Sequence, residues 1–393
     1  MNPASRLPAG LPALDDASTA HAQAMRDYLA RQVQQSEHGF MPFEHWMRLA
    51  LYAPGLGYYA AGNTKFGAGM PTGDFTTAPE LTPLFGKTLA RQVAEILERS
   101  GSDTILEFGA GSGALAASIL PALADMGISA RYLILEVSAD LRARQQERLA
   151  DHGVTVTWLD ALPEDFSGCI LANEVLDAMP ATLFRWDEAG ALQELGVRLE
   201  ETDFAWTERP APAELADIMS QRMPPLPGYR SELNLQAEAW VRQMGAWLSK
   251  GAALLLDYGF PQAEYYHPQR AEGTLMCHFR HHAHAEPLIH PGLQDITAHV
   301  DFTAMADAAL AGGLDVLGYT SQARFLMNAG LPELLVASTR NGTDPAAAGR
   351  AMSAVQKLLS EAEMGELFKV LAIGRGIDAP LMGFTRGDRR DRL

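Results

Sequence analysis

The sequence holds only two cysteines among 393 residues, Cys169 and Cys277. Two thiols cannot form a disulfide framework for a chain of this length, so a reducing cytoplasm is the simplest setting. Long apolar runs are missing as well. Nothing approaches the ~20 residues that cross a bilayer, and membrane insertion is not expected. The opening stretch MNPASRLPAGLPALDDASTA lacks a charged segment followed by a long apolar one, and reads as a flexible leader rather than a secretory signal. Positive charge is scarce: 31 Lys and Arg stand against 48 Asp and Glu, for a formal net charge of −17. That balance argues against nucleic acid as a partner, because phosphate binding needs a basic face. It suits a cationic substrate, although acidity also serves solubility alone. The rest is ordinary, with 47% hydrophobic and 20% charged residues, enough to bury one large core or two smaller ones.

What is present is organised around residues 105–119, ILEFGAGSGALAASI. Ile105 and Leu106 belong to a short apolar run that suits a buried parallel strand. Glu107 stands where that strand should end. Gly109, Gly111 and Gly113 then give a turn through which backbone can approach a ligand, and the helix that follows offers free N–H groups and a partial positive charge. The motif alone fits S-adenosylmethionine, NAD(P) or FAD, or a plain structural turn.

Before it, helices are expected over residues 21–35 and from Pro42, and residues 66–86 read as an ordered loop rich in Gly, Pro and Thr, with Asp74 and Glu80 as its acids. After it, apolar strands alternate with helices. Strands over 132–135, 154–158 and 169–172 end at Glu136, Asp160 and Asn173-Glu174. This order predicts a parallel sheet with its ligand at the strand carboxyl ends, and with Glu107 all four strands place an acid there. From Thr182 to Thr207 the pattern turns antiparallel. A long helix, expected to start at a Ser231 cap and end near Lys250, has an apolar face that could pack internally or across a homodimer. Strands resume at 252–257, 316–319 and 368–373. The histidines between Gly273 and Asp301 match no zinc spacing, so no metal is assigned to them. The expected organisation is a leader (1–20), N-terminal helices and loop (21–100), a cofactor-binding core (101–180 and 251–376), an insertion facing substrate (181–250) and a frayed tail (377–393).

Six segments coincide with one family. GDFTTAPELTPLFG (73–86), ILEFGAGSGALAASIL (105–120), NEVLDAMP (173–180), LLLDYG (254–259), DITAHVDF (295–302) and TSQARFLMNAG (320–330) make the chain resemble the MidA-like family of seven-stranded, S-adenosylmethionine-dependent methyltransferases. That family includes a mitochondrial assembly factor that dimethylates an arginine of a respiratory complex I subunit. The resemblance spans about residues 40–374. It departs at Ala110 and Ser112, where relatives often carry Pro and Arg.

The resemblance implies an α/β Rossmann-like fold and a pocket for S-adenosylmethionine. Gly109, Gly111 and Gly113 would meet its amino-acid end and Glu107 its ammonium group. Glu136 would take the ribose hydroxyls and Asp160 the adenine amino group. Gly73, Asp74, Phe75 and Thr77 would close over the methionine part, with Asn173 beside them. NAD would explain Glu136 equally well, but has no use for Asp160 and NEVLDAMP together. For an arginine acceptor, Glu174 and Asp177 are the candidate orienting carboxylates, and His299 and Asp301 would take the departing proton or bind substrate. The expected activity is protein-arginine N-methylation of a partner such as a complex I subunit. The alternative is a cofactor-binding assembly factor or chaperone with little turnover.

Overall fold

The structure, a computed structural model, describes residues 8, 10–61, 77–150, 156–340, 345–378 and 380–393. The chain divides into two compact units. The first comprises residues 1–75, 177–237 and 262–299, and the second residues 76–176, 238–261 and 300–393.

The second unit is built on a sheet whose strands follow the expected alternation: β1 (Thr104–Phe108), β2 (Arg131–Leu135), β3 (Val156–Leu159), β4 (Phe166–Asn173), β5 (Leu248–Phe260), β6 (Asp315–Ser321) and β7 (Phe368–Arg375). Their order across the sheet is β6-β7-β5-β4-β1-β2-β3, and a two-residue strand, Val300–Asp301, joins the end of β5. The five strands from β5 to β3 are parallel neighbours, whereas β7 runs antiparallel to both β5 and β6. The seven-stranded expectation therefore describes the continuous path, to which the short strand adds an eighth member.

Period-2 patterning explains why the central strands read as continuous apolar runs. Ile105, Ile134, Leu171, Leu254 and Val370 are buried in one cluster with the helix side chains Leu89, Val93, Leu115 and Ile119. The intervening Leu106, Ile170, Leu255 and Leu371 are buried as well, so both faces of the sheet are covered. Three helices matter for the site: α1 (Pro83–Ser100), α2 (Ala114–Asp125) and α3 (Ala139–Leu149). Thr82 caps α1 through Leu84 N–H, and Ser138 caps α3 through Leu141 N–H.

The first unit contains a five-stranded antiparallel sheet. Thr182–Trp186, Leu192–Glu200 and Asp203–Pro210 appear as expected, joined by Met41–Pro42 and Arg230–Leu233. A three-stranded sheet of Met276–Phe279, His282–His284 and Asp295–Thr297 completes it. Trp46, Met47 and Phe43 of helix Phe43–Tyr52 share a core with Leu183, Val197, Phe204 and Ile296.

Several expectations are corrected. The stretch 181–250 is not a separate insertion: most of it folds with the N-terminal helices and with residues 262–299, which had been assigned to the cofactor-binding core. Ser231 lies inside a strand rather than at a helix cap, and Asn234 Oδ1 instead accepts the Ala237 N–H at the start of helix Leu235–Trp247. That helix buries Val241 and Met244 within the chain. The first helix starts at Asp16, where Asp15 accepts the Ser18 N–H, so the expected leader is already helical over its last residues. The tail is not frayed: Leu381 and Phe384 are buried, and Asn328 donates to the carbonyls of Gly383 and Arg386. Two apolar anchors outweigh the polar residues around them.

Candidate functional site

The sheet reverses direction of growth at β1, which lies between β4 and β2. In an open α/β sheet the crevice at such a point, beyond the strand carboxyl ends, is the natural ligand site. Gly109, Gly111 and Gly113 stand there, all with positive φ (59°, 54° and 80°), and Gly113 begins α2 with no side-chain cap. Gly109 has a packing reason to lack a side chain, because a Cβ would lie 3.1 Å from Val175 Cγ2. At Gly111 a Cβ would meet nothing within 4 Å, so that part of the turn is open.

Glu107 is inside β1 rather than at its end, and is 2% exposed. Tyr132 Oη donates to its Oε2 at 2.8 Å. Burial pushes its carboxyl up to about 7, with the Tyr132 hydrogen bond opposing and nearby Glu136 reinforcing the rise. A raised acid pKa means that the folded chain holds this proton more tightly than the unfolded one. Its stabilising contribution is complete below the ordinary value near 4.5 and is lost as pH rises through about 7. The expected loss is on the order of 3 kcal/mol across that window. Unfolding midpoints of the wild type should therefore fall between pH 5 and 8 relative to Glu107→Gln, and parallel pH profiles for the two proteins would refute this account.

Glu136 follows β2 directly. Its Oε1 accepts the Ser138 N–H at 2.9 Å and its Oε2 accepts Gln145 Nε2 at 3.1 Å. Burial raises its pKa, against those two hydrogen bonds. Gln145, which sequence reasoning missed, is fully buried and ties the site together. Its Nε2 also reaches the Gly111 carbonyl at 2.9 Å, and Trp158 Nε1 donates to its Oε1 at 2.9 Å. A polar residue on the inner face of α3 was the available signal.

Asp160, after β3, is a surface acid. Its carboxylate, 86% exposed, is ion-paired with Arg142 Nη1 at 2.6 Å. Thr77 precedes the short helix Ala78–Leu81, whereas Gly73, Asp74 and Phe75 lie outside the described residues. Glu80 is held by Arg148 at 3.0 Å, and both contact Ser112. Partial burial pushes the Glu80 carboxyl up, but hydrogen bonds from Arg148 and Ser112 outweigh it and hold it below the ordinary value. A guanidinium therefore does stand at the glycine turn, supplied by α3 rather than from within the motif.

At the end of β4, Asn173 Nδ2 donates to Glu174 Oε1 at 3.0 Å, and the Asn173 Oδ1 is buried with no hydrogen-bond partner among the described residues. Glu174 has φ 54°, a left-handed conformation that costs a residue with a side chain on the order of 1–3 kcal/mol. Such strain persists where the surroundings impose it. Asp301 caps helix Phe302–Ala311 by accepting the N–H groups of Thr303 and Ala304, so one oxygen of this expected catalytic acid already has a structural task.

Asp177 and His299 belong to the first unit, as do Tyr59 and Asp295. Asp177 is 5% exposed, and its carbonyl accepts the Ala298 N–H. The His299 N–H donates to Thr274 Oγ1. Tyr59 Oη, missed by sequence reasoning, donates to both Asp295 oxygens at 2.9 and 3.0 Å and stacks on Tyr52. Burial and then the Asp295 and Asp177 charges push the Tyr59 hydroxyl well up. Among the described residues no three His, Cys, Asp or Glu side chains group as a metal site.

The glycine turn and the α2 N-terminus, which has free N–H donors and no side-chain cap, fit ligand acceptors, and the unpartnered Asn173 Oδ1 fits a ligand donor, so the edge suits a polar ligand bearing both, as the sequence suggests. Comparisons with known proteins agree. A family model described as "Putative S-adenosyl-L-methionine-dependent methyltransferase" matches residues 88–320. The chain is 28% identical to the mitochondrial protein arginine methyltransferase NDUFAF7 homolog of Drosophila melanogaster, over 94% of this chain and 91% of that one. It is 29% identical to protein arginine methyltransferase NDUFAF7 of Danio rerio, over 84% and 82%. A Burkholderia thailandensis protein, solved as a "likely methyl transferase" bound to S-adenosyl-homocysteine, superimposes with a TM-score of 0.90 at 48% identity, covering 98% of this chain and all of that one. The chain belongs to this MidA-like family of S-adenosyl-L-methionine-dependent methyltransferases.

Proposed function

We propose that the chain methylates an arginine side chain of a protein partner, of which a respiratory complex I subunit is the leading example, and that it does so in the cytoplasm. The observation that carries the proposal is Glu174, a carboxylate kept in a strained conformation at the end of β4, with its neighbour Val175 packed against the glycine turn. The names of the curated relatives support the same acceptor class. The two free, buried cysteines suit a reducing compartment.

In this reading Gly109, Gly111 and Gly113 hold the amino-acid end of S-adenosylmethionine, and Glu136 accepts the ribose hydroxyls. Glu107 stays buried within β1 just before the turn, its carboxyl held by Tyr132. Asn173 Oδ1 offers an acceptor to a ligand N–H. The cofactor supplies a methyl group on a sulfonium centre, ready for in-line displacement. The chain's own task is alignment and charge. A guanidinium is a poor nucleophile because it stays protonated (pKa above ~12). A carboxylate paired with two of its nitrogens turns the third outward and favours positive charge on the pair it holds. Glu174 is assigned that role; from the sequence motifs alone, Asp177 is proposed as a second acid and His299 as the proton acceptor or a substrate contact.

The test is to incubate the protein with isotopically methyl-labelled cofactor and candidate complex I subunits, then locate the label by peptide mass spectrometry. Label on arginine is the expected result. Label on another residue type would refute the acceptor assignment. Tight partner binding with no label would favour the assembly-factor alternative.

A further inference from the structure

We infer that Asp257 is a positioning residue for methyl transfer, one that holds Glu174 in its left-handed conformation and Val175 against the glycine turn. The inference rests on the proposed role of Glu174.

Asp257 is at the carboxyl end of β5 and has no exposed surface. A carboxylate with no access to water needs strong partners. Its Oδ2 accepts the Leu176 N–H at 3.0 Å, and its Oδ1 accepts the Tyr258 N–H at 2.9 Å. One residue earlier, the Leu256 carbonyl accepts the Glu174 N–H at 2.9 Å. β5 therefore grips the turn after β4 on both sides of Val175, once through its backbone and once through the Asp257 side chain. The regular pairing of β4 with β5 ends at Asn173 opposite Leu256. Beyond that point the Asp257 carboxylate takes over as acceptor, where the turn has left the ladder.

The grip accounts for the strain. Glu174 would relax toward negative φ if the chain around it were free, because a side chain disfavours φ 54°. Fixing the N–H groups of residues 174 and 176 prevents that. It also fixes Val175, whose Cγ2 occupies the space that a Cβ on Gly109 would need. One buried acid thus sets the direction of the proposed acceptor-orienting carboxylate and the packing of the cofactor turn. A neutral amide cannot replace it, since an Asn side chain presents its NH2 group toward one of the two N–H donors.

The test uses the full chain and the variants Asp257→Asn, Glu174→Gly and the double variant. Glycine tolerates φ 54° without strain, so Glu174→Gly should raise the melting temperature of the wild type by roughly 2–4 °C. In the Asp257→Asn background that gain should shrink by more than half, because the turn is already released. Asp257→Asn should also lower kcat at least ~10-fold, with the acceptor KM changed less than ~3-fold. Additive temperature shifts would overturn the inference, as would a kcat loss no larger than the loss of folded protein. If the wild type methylates no arginine acceptor, the proposed function fails; the temperature cycle then decides separately whether Asp257 holds the turn. Should Asp257→Asn not fold, Asp257→Glu, which displaces the carboxylate by one methylene, carries the same readings.

Discussion

Glu174→Gln is expected to lower methyl transfer by roughly 10²–10³-fold, the usual cost of losing one preorganised electrostatic contact. Gln preserves the length of the side chain and tolerates φ 54° no better and no worse than Glu, so the turn should keep its shape. What disappears is the charge. A unit charge about 4 Å from a guanidinium near a protein surface is worth roughly 4 kcal/mol, and the amide that replaces it turns a donor toward a group that has only donors. Cofactor affinity should stay within about threefold, since the residue acts on the acceptor. Initial rates of methyl transfer together with calorimetric titration of S-adenosylmethionine measure both quantities. An unchanged rate would remove Glu174 from the mechanism, and a parallel loss of cofactor affinity would move it into the cofactor site. Asp177→Asn, measured alongside, shows whether the second acid shares the task.

Glu136→Ala is expected to weaken S-adenosylmethionine binding about 100-fold. Two ribose hydroxyls donating to one carboxylate form charge-assisted hydrogen bonds, each worth roughly 1.5–3 kcal/mol, and the lower end of that range for the pair, about 3 kcal/mol, is a factor of about 100. The carboxylate is well prepared for this, because Ser138 N–H and Gln145 Nε2 already fix its orientation. Burial raises its pKa, and hydroxyl donors favour the ionised form. Affinity in the wild type should therefore decline as pH falls through that raised value, and the decline should be absent in the Ala variant. Calorimetry at several pH values reads the affinity and its slope. Binding within threefold of wild type would show that the acid after β2 does not serve the ribose.

Much of the second unit was legible in the sequence because its signals are local. Apolar runs closed by an acid or a glycine mark β1, β2, β4 and β5, and the alternation with helices dictates parallel pairing and a ligand edge. Glu136 and Glu174 follow their strands as the run lengths imply. Glu107 was misplaced by one position, since an acid in an apolar run reads as an end unless its buried partner, Tyr132, is known. The first unit was less legible. Its pieces come from three stretches of sequence, and two-residue strands such as Met41–Pro42 carry no periodicity of their own.

The sequence by itself determined the fold class, the glycine turn, the row of acids near the strand ends and the family, because each depends on residue type and short spacing. The tertiary structure alone shows which partners the acids have. Asp160 pairs with Arg142, Asp301 caps a helix, Asp257 grips a turn 81 residues away in the chain, and Glu174 is held in a conformation it would not choose alone. Carboxylates look alike in a sequence. Their roles follow from the hydrogen-bond donors that folding brings to them, and those donors come from distant parts of the chain.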